Sequence, residues 1–202
     1  MKKLLSVLCA ILLVSALTVT AFAEAVPSPG VQGPQVVEIV VTDAEGNVVI
    51  QITVTEENAE EAAGYLQLTP MEEKEEASEE VQKALDEAYA AMEEAGSLGA
   101  LFPEYADKEV LDIMHVAFSD EIAEIVAQGG SVDVTTDLKL NLEEGTKLPI
   151  IRFIDNEWVT SPDEYAEILV DGTVMLHLNQ PGVFAILVDP DTERLTEEEV
   201  AE

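Results

Sequence analysis

Alternation of apolar and polar side chains is the first regular signal along the chain. Val37, Ile39 and Val41 alternate with Val36, Glu38 and Val40, and Val48, Ile50, Ile52 and Val54 alternate with Val49, Gln51, Thr53 and Thr55. A period of two places one set on each face of a strand. Asp43, Ala44, Glu45, Gly46 and Asn47 interrupt the pattern, so the region predicts a β-hairpin with a glycine-containing loop.

Residues 56–96 change to Ala, Glu, Leu and Met with few β-branched residues, which predicts helices. Thr55 is placed to cap the first, with Glu56 and Glu57 near its positive end and Gly64 to stop it. Ser78 is placed to cap the second, where Val81, Leu85, Ala88, Met92 and Ala95 form one stripe with Tyr89 beside it, up to Gly96. Residues 70–77 between them read as a solvated connection. Residues 110–118 are apolar on both parities, as in a strand covered on both faces. Ser119, Asp120 and Glu121 then open a short helix through Ile122, Ile125 and Val126 that Gly129 and Gly130 end.

The remainder reads as strands. Val132, Val134, Leu138 and Leu140 alternate with Asp133, Thr135, Asp137 and Lys139. Segments 148–154, 157–160, 165–170, 173–178 and 183–188 follow, with a hairpin signal at Asp171-Gly172. Short strands at this spacing predict a mainly β (α+β) fold, a two-sheet β-sandwich of immunoglobulin-like kind. One domain is expected over residues 36–188, with a helical insertion at about 56–96.

The two ends differ from this middle. Residues 1–23 combine Lys2 and Lys3, an apolar run, and Ala21-Phe22-Ala23 before Glu24, the arrangement of a secretory signal peptide cleaved between Ala23 and Glu24. An uncleaved signal anchor on the outer face is the alternative, since about 20 apolar residues can span a bilayer. Cys9 lies inside this run after Leu8, where a lipoprotein cleavage box would have a small residue, so the mature chain is expected to be cysteine-free. Pro27, Pro29, Gly30, Gly33 and Pro34 make residues 24–35 a spacer. Residues 189–202 form an acidic tail expected to be disordered, even though Thr196 and Glu199 fit a capping box. The tail offers no wall-sorting motif and no second apolar span.

Charge narrows the function classes. The 202 residues hold 42 Asp+Glu against 9 Lys+Arg, a formal net charge of −33, with 48% apolar residues. Nucleic-acid affinity comes largely from cations that neutralise phosphates. A chain this acidic is therefore expected to bind no nucleic acid and, after signal cleavage, no anionic membrane. The charge also discourages self-association, so a monomer is expected.

Residues 138–188 carry a set of turn motifs: Glu144-Gly145, residues 155–158 ending in Trp158, residues 171–174 reading Asp-Gly-Thr-Val, and Phe184-Ala185-Ile186. In these motifs the chain resembles the C-terminal β-sandwich modules of secreted and surface proteins of Gram-positive anaerobes, and residues 110–119 resemble the strand that precedes them. Asn156-Glu157 stands where those modules have Gly before the Trp, and Gln180-Pro181-Gly182 replaces their Ser-Pro. The resemblance implies an extracellular accessory module and brings no catalytic residues.

Candidate chemistry is sparse. His115 and His177 are the only imidazoles, one expected in a packed strand and the other at the surface. There is no H-E-x-x-H motif and no G-x-S-x-G elbow. Trp158 is a candidate sugar platform, although its place just after a turn favours core packing. Calcium prefers oxygen ligands, and two runs alternate them: Asp43, Glu45 and Asn47, and Asp189, Asp191 and Glu193. Neither matches the D-x-[DN]-x-[DN]-G loop. The function expected is therefore a secreted, acidic, non-catalytic extracellular module that binds or spaces an extracellular protein or polymer, with no cofactor. A calcium-dependent binder of wall polymer or glycan is the alternative, and a small secreted hydrolase the third.

Overall fold

The computed structural model describes residues 35–193. The proposed signal peptide, its cleavage point at Ala23 and Glu24, nearly all of the spacer, and the tail beyond Glu193 lie outside the described residues. The chain forms strands β1 (Val36–Thr42), β2 (Val48–Thr53), β3 (Leu66–Pro70), β4 (Glu109–Phe118), β5 (Ser131–Thr136), β6 (Lys147–Ile154), β7 (Glu157–Ile168), β8 (Val174–Leu178) and β9 (Gly182–Val188). Helices α1 (Ala59–Tyr65), α2 (Glu79–Ala95), α3 (Leu98–Leu101) and α4 (Asp120–Ala127) lie between them.

The molecule is mainly β, and every strand pairing is antiparallel. All nine strands belong to one curled sheet in the order β2-β1-β5-β8-β7-β6-β9-β4-β3. Two side-chain clusters fill its two faces. On the inner face Ile39 and Val41 of β1 share a core with Met114 and Val116 of β4, Leu176 of β8 and Phe184 of β9, closed by Ala62 of α1 and Ile122 and Val126 of α4. On the outer face α2 lays Leu85 and Ala88 over Ile113, Ile151, Trp158, Ala185 and Leu187. Strand β4 thus serves both cores, as its two-sided apolar pattern requires.

The helix caps follow the sequence closely. Ser78 accepts from the Val81 N–H at 3.3 Å and Ser119 from the Ile122 N–H at 3.3 Å, while Gly96 ends α2 in the left-handed conformation at φ 75°. A β-carbon on Gly130 would lie 2.3 Å from the Thr42 carbonyl oxygen, so only glycine lets the chain leaving α4 pass this close to β1.

Three expectations are corrected. The stretch 56–96 is not wholly helical, because Leu66–Pro70 is strand β3, paired with β4 from Leu66↔Phe118 to Pro70↔Met114. A five-residue strand between acid-rich segments has little signal of its own, and β4 supplies its hydrogen bonds. Thr55 does not cap α1. Its N–H and hydroxyl both donate to Asn58 Oδ1, the helix begins at Ala59, and it continues through Gly64 to Tyr65. The expected strands 157–160 and 165–170 are one strand, β7, whose register with β6 shifts between Pro149 and Ile151. Pro162 sits in that unpaired stretch, where its missing N–H breaks no ladder bond.

Among the described residues no helix is long and apolar enough to cross a membrane.

Candidate functional site

The inward parity of β6 reads Leu148, Ile150, Arg152, so an obligatory cation enters the apolar core. Arg152 is 1% exposed and Glu164 of β7 is 2% exposed. The guanidinium donates through Nε to Glu164 Oε2 at 2.6 Å and through Nη2 to Oε1 at 2.5 Å, a two-pronged pair. It also donates to the carbonyls of Gln180 at 2.8 Å and Gly182 at 3.4 Å, and lies 5.2 Å from the Phe184 ring. Glu164 accepts further from the Ser161 hydroxyl at 2.7 Å and the Asn179 N–H at 2.8 Å. Burial pushes the Glu164 carboxyl up, but Arg152 and these donors outweigh it and hold the group below the usual carboxylate range. The network binds β6, β7 and the turn into β9 to one another.

That turn also forms one wall of an open cleft of about 360 Å³. Ala84 and Glu87 of α2 face it from above, His115 of β4 and Val183 of β9 line its floor, and Phe153, Asp155 and Asn156 of the β6–β7 hairpin close one end. Asp155 and Asn156 both have positive φ, 52° and 65°, as a two-residue type I′ turn demands. This is how the hairpin forms without a glycine. Burial lowers the pKa of His115, Glu80 opposes the shift, and Arg152 adds to it. Its pKa thus lies below the ordinary imidazole value, and the same cleft carries the carboxylates of Glu87 and Asp155.

A second polar arrangement stands on the part of the outer face that α2 leaves bare. His177 of β8 lies between Asp133 of β5 and Tyr165 of β7 in register. Its Nδ1 is 2.6 Å from Asp133 Oδ1 and its ring stacks on Tyr165 at 5.0 Å. Lys147 Nζ covers Tyr165 at 3.6 Å from the ring centroid and pairs with Glu167 at 3.4 Å. The hydrogen bond to Asp133 raises the His177 pKa, against a smaller opposing effect of burial.

Comparison with known proteins finds no match. No family model, no curated protein and no solved structure matches this chain.

The residues singled out from sequence fall in separate places. Trp158 is 6% exposed, packs 5.4 Å from Phe153 and donates its indole N–H to the Ala88 carbonyl at 3.0 Å, so its faces are used in the seam beneath α2. In the β1–β2 loop, Asp43 Oδ1 accepts from the Glu45 and Asn47 N–H groups at 3.0 and 2.8 Å, and both its oxygens accept from the Asn47 amide. The Asn47 side chain and N–H hold this carboxyl below its ordinary value. At the other end Asp189 pairs with Lys108 at 2.6 Å, Asp191 is exposed, and the Glu193 carbonyl accepts from the Asn141 N–H. The first run is thus a turn held by its own residues, while in the second Asp189 is held by Lys108 from outside the run. Among the described residues no three His, Cys, Asp or Glu side chains form a metal-holding group.

Arg152, Glu164, Asp133 and Tyr165 went unrecognised in the sequence. The signal was present for two of them: Arg152 shares a parity with Leu148 and Ile150, and Glu164 with Ala166 and Ile168, so a charge stands in line with core residues on both strands.

Proposed function

We propose that the chain is a secreted, non-catalytic module with a binding or spacing role outside the cell. The carrying observation is the Arg152–Glu164 network, in which the most deeply buried charges are saturated by structural partners. A charge pair held by several structural hydrogen bonds rigidifies a frame and is poorly placed to move protons. The signal-like residues 1–23 and the net charge of −33 support export and solubility. The curl of the sheet supports a sandwich-like layering of its two halves, since β1 and β4, far apart in strand order, contribute to one inner core.

The test has two parts. Expressed from its own start in a Gram-positive host, the chain should accumulate in the medium as a product beginning at Glu24; retention of residues 1–23 on a cell-bound product would favour the signal anchor. That exported product should unfold at the same temperature in EDTA and in calcium at matched ionic strength. A shift that saturates with calcium would be native-state linkage to a specific site and would put a calcium-dependent binder in place of the plain module.

A further inference from the structure

We propose that the free edge of β2 is a docking groove for an extended, cationic peptide strand, an inference that rests on the binding role proposed above. Among the described residues, strand β2 ends the sheet, with β1 as its only neighbour. Natural edge strands are blunted by Lys, Pro, inward charges or β-bulges. Val48–Thr53 reads Val-Val-Ile-Gln-Ile-Thr, with no Lys, Pro or charge. It has one bulge, opposite Val41 and Thr42, and its register from Ile50 to Thr53 is uninterrupted. Val48 and Val49, at 56% and 49% exposure, are among the largest apolar exposures of the described residues.

The outward hydrogen-bonding groups can be assigned. The Val54 N–H donates to the Val37 carbonyl, and Ile52 and Ile50 keep that phase against Ile39 and Val41. Gln51 and Thr53 therefore point their backbone groups away from the sheet. The Thr53 carbonyl is taken by the Asn58 amide at 2.9 Å, which marks one end of the edge. Gln51 presents both N–H and C=O.

Beside this edge runs a groove of about 560 Å³, lined by residues 49–53, by Asn58, Glu61 and Tyr65, and by Glu121 at the start of α4. Glu61 and Glu121 are exposed carboxylates. Charge decides between occupants. A second copy would bring another −33 to the groove, whereas a strand with Lys or Arg at alternate positions would pair its backbone with Gln51 and set its cations against Glu61 and Glu121.

The experiment measures binding of a labelled eight-residue peptide of alternating Val and Lys to the full chain by fluorescence anisotropy. Saturable binding is expected, weakened at least tenfold when Glu replaces Lys in the peptide and when its alternate amides are N-methylated. Gln51→Pro removes an outward donor and no backbone bond to β1, but also the exposed 3.0 Å bond from the Gln51 amide to Glu38. It should cost at least tenfold with a melt matching that of Gln51→Ala, which loses the side-chain bond alone and should bind as the parent does. If that variant folds poorly, the exposed pair Glu61→Gln and Glu121→Gln should weaken binding about fivefold and flatten its salt dependence. Equal affinity for the N-methylated peptide would reduce the effect to general attraction by an acidic surface and overturn the proposal. So would absence of binding, or a dimer in sedimentation that Gln51→Pro abolishes. None of these outcomes alters where the exported product accumulates or how it melts, so the secreted-module reading fails or stands separately.

Discussion

His115 and His177 stand on the outer face of the same sheet, yet the two halves of that face give them opposite properties. Over β4, β9 and β6, α2 covers the strands and withdraws water from His115, which lowers its pKa. Over β5, β8 and the Tyr165 end of β7 no helix of the described residues covers the sheet, and His177 meets a carboxylate across the strand, which raises its pKa. A face of one sheet is thus not one environment. What lies on it sets whether its polar groups are desolvated or paired.

The sharpest way to break the comparison is to disturb the strands that carry the covered half, first from their inner face and then from the seam beneath α2. Arg152→Met leaves Glu164 buried without its cation and should cost about 3 to 5 kcal/mol in urea unfolding. Replacing both, Arg152→Met with Glu164→Leu, should recover most of that loss; equal damage in single and double variants would show that the network acts by packing alone. Trp158→Ala, in the seam beneath α2, should cost about 3 to 5 kcal/mol. On the bare half, Tyr165→Ala should cost only about 1 kcal/mol, because it loses cross-strand contacts and leaves no enclosed cavity.

The pH dependence sharpens the contrast. A raised pKa means that the stabilisation from His177 is complete below its ordinary value of 6.5 and is lost as pH rises through the folded-state value. A lowered pKa means that the contribution of His115 is present above 6.5 and is lost as pH falls through its folded-state value. Denaturation midpoints between pH 5 and 8 should therefore move in opposite directions for the two variants. His115→Gln should make mild acid more favourable relative to the parent, and His177→Gln less favourable. Slopes of the same sign would show that the two halves do not differ as described. The smallest effect is expected at the cap of the covering helix, where Ser78→Ala should lower stability by about 1 kcal/mol.

The sequence was most informative where a local rule and the tertiary structure agree. Ser78 and Ser119 cap, Gly96 terminates, and β1, β2 and β4 follow their alternation, because each signal is carried within a few residues. It was least informative where a distant partner decides. Leu66–Pro70 becomes a strand because β4 offers an edge, and Pro162 hides the continuity of β7 because its break in pairing is absorbed by a register shift. The number of sheets is of the same kind, since period-two patterns fix faces but not neighbours. At the candidate site, His115 was visible as an imidazole in an apolar strand, but Glu87, Asp155 and Asn156 reach it from elements 28 to 41 residues away in sequence, and no spacing rule joins them.

The position of β9 has a consequence for the order of assembly. It is the last described strand along the chain, yet it lies between β6 and β4, so it joins β3 and β4 to the other six strands. Before residues 182–188 exist, the sheet is two fragments with no hydrogen-bonded link between them. Pairings this distant in sequence are slow to form. A chain emerging from the ribosome or from a membrane channel therefore stays unfinished until almost its whole length is available, and a stop codon ahead of Gly182 would leave two unjoined sheets with four exposed edges.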